Sequence, residues 1–256
     1  MVIIFNGKNK LVIFLIPKII WQTYETEYEL LPENIKSFRE SWIKDYPEFE
    51  HRYVNSEQRK EFVLKEFGKN WHEIFINVPN NITRANLWMY MNLYVNGGIY
   101  MDLDCLPLQN INEWLIDEYD FIVWQDTSQE LLFSIALVAS APKNPILKCV
   151  LDNIINNINN KVYDSFEKNT MSYVFQFAEV AFANGIKKAL GVNKELTYQE
   201  YNSLPLAKKY KFHCYPEDFY NENPILKHTD GANNWKTGYT SWWKEVGYDK
   251  VWNRGL

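Results

Sequence analysis

Arg84-Ala85-Asn86-Leu87-Trp88-Met89-Tyr90-Met91-Asn92-Leu93-Tyr94-Val95-Asn96-Gly97-Gly98-Ile99-Tyr100-Met101-Asp102-Leu103-Asp104 is the stretch on which the fold turns. Leu87, Tyr90, Met91 and Tyr94 recur at helical spacing, so Thr83 to Val95 is predicted as a helix that buries one stripe. Gly97-Gly98 ends it, because glycine takes the backbone conformations that stop a helix at little steric cost. Ile99 to Asp104 then reads as an alternating strand, with Ile99, Met101 and Leu103 on one face and Tyr100, Asp102 and Asp104 on the other. The pattern predicts two carboxylates and a phenol on a common face at the end of a strand.

The same alternation of elements extends in both directions. Leu11 to Trp21 is apolar apart from Pro17-Lys18 and is expected as a buried strand ending in Trp21-Gln22-Thr23-Tyr24. Glu33 to Asp45 follows as a helix, Phe49 to Val54 as a strand, and Ser56 to Phe67 as a helix capped at Gly68. Downstream, Phe121 to Trp124 and Ile135 to Ser140 read as strands, and Asn144-Pro145 opens a helix that runs to about Ile158. Ser172 to Leu190 reads as a helix broken or ended near Gly185, and Phe212 to Tyr215 as a short strand. Strands alternating with helices, without repeats or a linker, predict one α/β domain over 1–256 with a mainly parallel sheet. Its donor and metal half would span about 11–108, and its acceptor half and closing segment about 109–256.

Composition narrows the functional classes. The 256 residues are 46% hydrophobic and 23% charged, enough for a full core. Lys plus Arg number 27 against 32 for Asp plus Glu, a net charge of −5, and no basic run is present to neutralise a phosphate backbone, so nucleic acid is excluded as the main partner. Ten Trp and 17 Tyr supply flat faces suited to stacking on sugars or bases, although such rings also fill ordinary cores. Cys105, Cys149 and Cys214 form neither a zinc pair nor a disulfide framework, which suggests reduced thiols and a cytoplasmic location. The early apolar runs Val2 to Phe5 and Leu11 to Ile16 are too short to span a bilayer, so no transmembrane segment is expected, and the break between them argues for structure rather than a secretory signal.

An Asp-x-Asp pair alone is weak, since 11 Asp in 256 residues supply about 0.5 such pairs by chance. The linked helix, double glycine and acid strand are specific. Together with Ile16-Pro17-Lys18-Ile19-Ile20-Trp21-Gln22-Thr23-Tyr24 they resemble the Asp-x-Asp sugar-binding region of glycosyltransferase family 32. That family includes yeast-type initiating mannosyltransferases and is similar to the catalytic core of the clostridial glucosylating toxins. The resemblance covers about 16–108, continues weakly at Val138 to Pro145, and reappears at His228 and Ser241-Trp242.

The resemblance implies a glycosyltransferase-A type fold and a retaining, metal-dependent transfer of sugar from a nucleoside-diphosphate sugar, such as a UDP- or GDP-sugar, to a glycan, lipid or protein. Asp102 and Asp104 would act in catalysis by holding Mn²⁺ or Mg²⁺ with His228, and hard carboxylate oxygens suit either ion. His228 also reads as an ordinary loop histidine. The donor would lie against Trp21, Gln22 and Thr23, with Trp21 under the nucleobase, although a core Trp is the competing reading. Gly97, Gly98 and Tyr100 would lie near its sugar or phosphates, and Trp242 would close over it. The family's usual Asp and Arg for the donor sugar are replaced here by Asn86 and Met89. That loss motivates an alternative, a non-catalytic sugar-nucleotide or glycan binding protein. Asp126 reads as an acceptor-side or a loop carboxylate, and a phosphotransferase ranks last for want of a Gly-rich phosphate loop.

Overall fold

The structure is a computed structural model that describes residues 2–6, 9–13, 16–107, 110–126, 132–168, 171–216 and 226–228. Pro17, which has no N–H to give to a ladder, divides the apolar run that the pattern reads as one strand. Before it, β1 (Val2–Asn6) and β2 (Asn9–Ile13) pair antiparallel as a separate hairpin, with Val2 opposite Ile13. After it, β3 (Ile19–Thr23) enters the main sheet. The helix α1 (Glu33–Asp45) and the strand β4 (Glu50–Val54) lie where the sequence predicts them.

α2 (Ser56–Asn77) starts on a reciprocal cap in which Asn55 and Gln58 satisfy each other's backbone N–H. Its expected end at Gly68 is instead a kink, where Gly68 takes φ 80 and ψ −178 and the helix resumes. The second half continues because it has apolar surface to cover: Phe75 is buried, and Trp71 packs edge-on against Phe67. α3 (Asn81–Asn96) begins two residues before the predicted start, on Asn80, whose side chain accepts from the Thr83 N–H at 2.8 Å.

β5 (Gly98–Met101), β6 (Cys105–Pro107), α4 (Ile111–Trp114), β7 (Phe121–Asp126), β8 (Leu132–Phe133) and β9 (Leu137–Ser140) follow. α5 (Pro145–Asn159) opens on an Asn144 cap and Pro145, as predicted. α6 (Met171–Phe175) passes through a π-helical turn, Gln176–Val180, into α7 (Ala181–Leu190), which runs unbroken through Gly185. Gly185 serves the packing of α7 on α5, since a Cβ there would stand 2.5 Å from the Cα of Val150. α8 (Tyr198–Ser203), α9 (Pro205–Lys209), β10 (Phe212–Tyr215) and β11 (Leu226–His228) complete the described chain.

The main sheet runs β4-β3-β5-β9-β7-β10, with β8 added to β7. β4, β3 and β5 are mutually parallel, β9 is antiparallel to both β5 and β7, and β10 is parallel to β7. β9 alone on that path therefore runs against the rest, and the sheet is mixed but mainly parallel, as the alternating pattern predicts. Side chains sort by period two: Trp21, Tyr100, Phe121 and Val138 join the core under α2, α3, α5 and α7, while Ile20, Ile99, Ile122 and Ala139 join Trp42 and Trp114 on the other side. The sheet is thus covered by helices on both faces, and among the described residues no helix is long and apolar enough to cross a membrane.

Candidate functional site

The acid pair follows β5 at the edge of the sheet where β3 and β4 also end. The turn that delivers it depends on both glycines. Gly97 and Gly98 take φ of 66 and 103, and a Cβ on Gly98 would stand 2.7 Å from the Ile19 carbonyl oxygen and 2.8 Å from Trp21 Nε1. Trp21 Nε1 donates to the Gly97 carbonyl at 2.9 Å, so the indole locks the turn that launches β5.

β5 is shorter than the alternating pattern predicts. It ends at Met101, and the backbone then folds into a turn in which the Cys105 N–H donates to the Asp102 carbonyl at 3.3 Å. The Asp102 N–H still reaches the Ala136 carbonyl at 3.0 Å, which ties the start of the turn to the segment leading into β9. Leu103 leaves the strand to pack with Leu31 and Ile35, and this apolar demand draws the turn down onto the segment before α1. Asp102 and Asp104 are both half-buried on this turn rather than on one strand face.

Tyr100 and Asp102 do come together: the Tyr100 hydroxyl donates to Asp102 Oδ1 at 2.8 Å. Burial pushes the Tyr100 phenol well above its ordinary range, and the Asp102 charge and the hydrogen bond push the same way. The phenol therefore stays a donor to Asp102. On the far side of the turn β6 pairs antiparallel with β11, and the register sets His228 opposite Cys105, one residue beyond Asp104. The backbone thus brings a histidine position beside the acid pair across more than a hundred residues. Among the described residues no group of three or more His, Cys, Asp and Glu side chains is assembled to hold a metal. The carboxylates of Asp102 and Asp104 fit Mn²⁺ or Mg²⁺ in donor type, with the remaining positions left to water, diphosphate oxygens or a further side chain.

The other expected site residues are placed as follows. Trp21 is 4% exposed, edge-on to Trp88, with the Arg52 guanidinium 4.9 Å over its ring. Gln22 is buried, and the Thr23 hydroxyl donates to the Val54 carbonyl at 2.6 Å. Asn86 keeps 7% exposure, whereas Met89 has none and packs in the core, which offers a thioether what it would not offer an unpaired guanidinium. Asp126 ends β7. Trp242 lies outside the described residues.

The structure gives roles to two arginines, Arg59 outside the contiguous motif and Arg84 at its head. Arg59, in the second turn of α2, is 1% exposed and is ion-paired through Nη2 to Glu25, two residues beyond β3. Arg84 donates through Nη1 to the Val78 carbonyl at 2.8 Å and through Nη2 to Asn81, and burial lowers its pKa. A signal for Arg59 exists in the sequence, because it falls four residues before the buried Val63, a charge on an otherwise apolar helical stripe.

Fold and site together define an α/β domain with an acid turn at the carboxyl edge of its parallel strands, the place where such sheets bind ligands. Residues 32–122, which hold the helix, the double glycine and the acid turn, match the family described as glycosyltransferase sugar-binding region containing DXD motif. The chain is 28% identical over 152 residues to an initiation-specific alpha-1,6-mannosyltransferase of Schizosaccharomyces pombe, covering 52% of this chain and 38% of the relative. It is 27% identical over 171 residues to inositol phosphoceramide mannosyltransferase 2 of the same yeast, covering 66% of this chain and 44% of the relative. The chain thus spans less than half the length of these two curated relatives. Among solved structures, a PaToxG glycosyltransferase aligns with a TM-score of 0.47 at 18% identity, over 77% of this chain and 86% of that one.

Proposed function

We propose that the chain is a metal-dependent, retaining glycosyltransferase that moves a sugar from a nucleoside-diphosphate sugar to a glycan, lipid or protein acceptor. The observation that carries this is the turn after β5, where Tyr100 holds Asp102 by a 2.8 Å hydrogen bond inside a segment that matches a sugar-binding region. Asp102 and Asp104 would hold Mn²⁺ or Mg²⁺, and the register of β11 on β6 supports His228 as a further ligand. A bound divalent ion supplies Lewis-acid stabilisation of the diphosphate leaving group. The chain's own contribution is positional. Tyr100 orients Asp102, the Trp21 to Gly97 hydrogen bond fixes the turn, and the packing of Leu103 seats the loop between the two carboxylates.

The names of the two yeast relatives favour a mannosyl donor for the first trials, and the second favours a lipid among the acceptors. A cytoplasmic setting is supported by Cys105, Cys149 and Cys214, none of which is in a disulfide. A second reading, a sugar-nucleotide binding protein without turnover, is favoured by one observation: Met89 is sealed in the core, so α3 presents no cation to a donor at that position.

Thermal unfolding with UDP, GDP and CMP and their sugars, each with Mn²⁺, Mg²⁺ or EDTA, tests the proposal, because a ligand selective for the folded state raises the melting temperature. The expected result is a metal-dependent rise with one nucleotide class, followed by slow donor hydrolysis with the matching sugar. Binding without hydrolysis or transfer would favour the second reading, and no rise with any nucleotide would overturn both.

A further inference from the structure

Arg59 is costly to the fold as it stands. Its guanidinium is 1% exposed, yet only Nη2 is partnered, by Glu25, while Nε and Nη1 are buried without any hydrogen bond. A buried charge that satisfies so few of its donors is a poor device for stability alone. Its position is specific. α2 starts directly beyond β4, Tyr24 N–H donates to the Val54 carbonyl at 3.3 Å, and Ser56 N–H to the Glu25 carbonyl at 3.5 Å, so the segment after β3 and the start of α2 are stitched together at the carboxyl edge of the sheet. Thr26, next to Glu25, also has a buried hydroxyl without a partner. β3 pairs in parallel with both β4 and β5, so Glu25 and the start of α2 lie at the same edge of the sheet as the acid turn.

The sign of the pair decides what it can bind. A lone guanidinium would suit a diphosphate, but Glu25 already neutralises this one and would repel an anion. A carboxylate that accepts beside a guanidinium that donates instead matches two neighbouring hydroxyl groups. We propose that Arg59 and Glu25 form a binding site for a vicinal diol of the nucleotide-sugar donor, with Arg59 donating to, and Glu25 accepting from, adjacent hydroxyls. Glu25, whose side chain is 28% exposed against 1% for Arg59, is the side from which the diol enters. This assignment rests on the donor-binding reading of the acid turn. Two parts of such a donor carry a vicinal diol, the ribose and the transferred sugar.

The test is calorimetric titration of the wild type, Glu25→Gln and Arg59→Lys with UDP, GDP, their 2′-deoxy forms, UDP-glucose and GDP-mannose, all with Mn²⁺, beside melting temperatures without ligand. Both variants should lose about tenfold or more in affinity for diol-bearing ligands only. A loss on UDP or GDP that disappears with the 2′-deoxy forms assigns the ribose, and a loss confined to the nucleotide-sugars assigns the transferred sugar. An equal loss on every ligand, or none in either variant, would overturn the assignment while leaving the proposed function standing. Wild-type protein that binds none of the ligands would overturn both. Should Arg59→Lys fail to fold, Glu25→Gln decides the matter, because its side chain is partly exposed.

Discussion

Tyr100 carries more of the site than its place in a strand suggests. Paired in register with Trp21 on β3, it has its ring in the core and its hydroxyl on Asp102. Replacing it by Phe keeps the packing and removes only the hydrogen bond that orients the carboxylate. Tyr100→Phe is expected to fold normally and to weaken Mn²⁺-dependent nucleotide binding about tenfold, the lower range for losing a group that orients a metal ligand, as read by calorimetry. Two histidines away from the site set a pH dependence. Burial lowers the pKa of His51, whose Nε2 lies 2.9 Å from the Tyr46 carbonyl, and of His213, stacked 4.3 Å from Tyr119. Unfolded, both would titrate near the ordinary 6.5, so below that pH the unfolded chain binds more protons than the folded one. Their contribution to stability is complete above about pH 6.5 and is lost as the pH falls toward the lower folded values. The melting temperature should therefore drop between pH 7.5 and 5.5, and drop less in His213→Gln, a difference that scanning calorimetry measures.

The elements show why equal residues are not equally legible. Gly68 and Gly98 both take positive φ, but a Cβ on Gly68 would meet nothing within 4 Å, while one on Gly98 would meet the Ile19 carbonyl and Trp21. Gly68→Ala should cost about 1 kcal/mol, the conformational penalty alone. Gly98→Ala adds overpacking to the same penalty and should cost about 3 kcal/mol or more, with a matching loss of nucleotide binding because the turn that launches β5 is displaced. Urea unfolding of the two variants checks the contrast. A helix pattern alone cannot separate a glycine that kinks from one that caps, which is why α2 reads as ending at Gly68. Gly185 likewise reads as a break, although it is the contact that lets α7 lie on Val150 of α5. By contrast α1, β4, α5 and β10 follow from local spacing and caps, because Pro32, Asn144-Pro145 and the apolar periods act within a few residues.

At the scale of the molecule, local patterns indicate a mainly parallel sheet between helix layers, but not the strand order. The insertion of β9 against its neighbours and the pairing of β11 with β6 depend on contacts between distant segments. The acid pair was legible because helix, double glycine and Asp-x-Asp are contiguous, whereas the Glu25 to Arg59 pair joins two elements that meet only in the fold. On the proposed function, metal and nucleotide would bind interdependently at this carboxyl edge. The most direct measurement is calorimetric titration of UDP and GDP into the wild type and Asp104→Asn, with Mn²⁺ and then with EDTA. The wild type should bind one nucleotide with Mn²⁺ and none with EDTA, and the folded Asp104→Asn variant should bind none. Undiminished binding by Asp104→Asn, or equal binding with and without the metal, would contradict the proposed function.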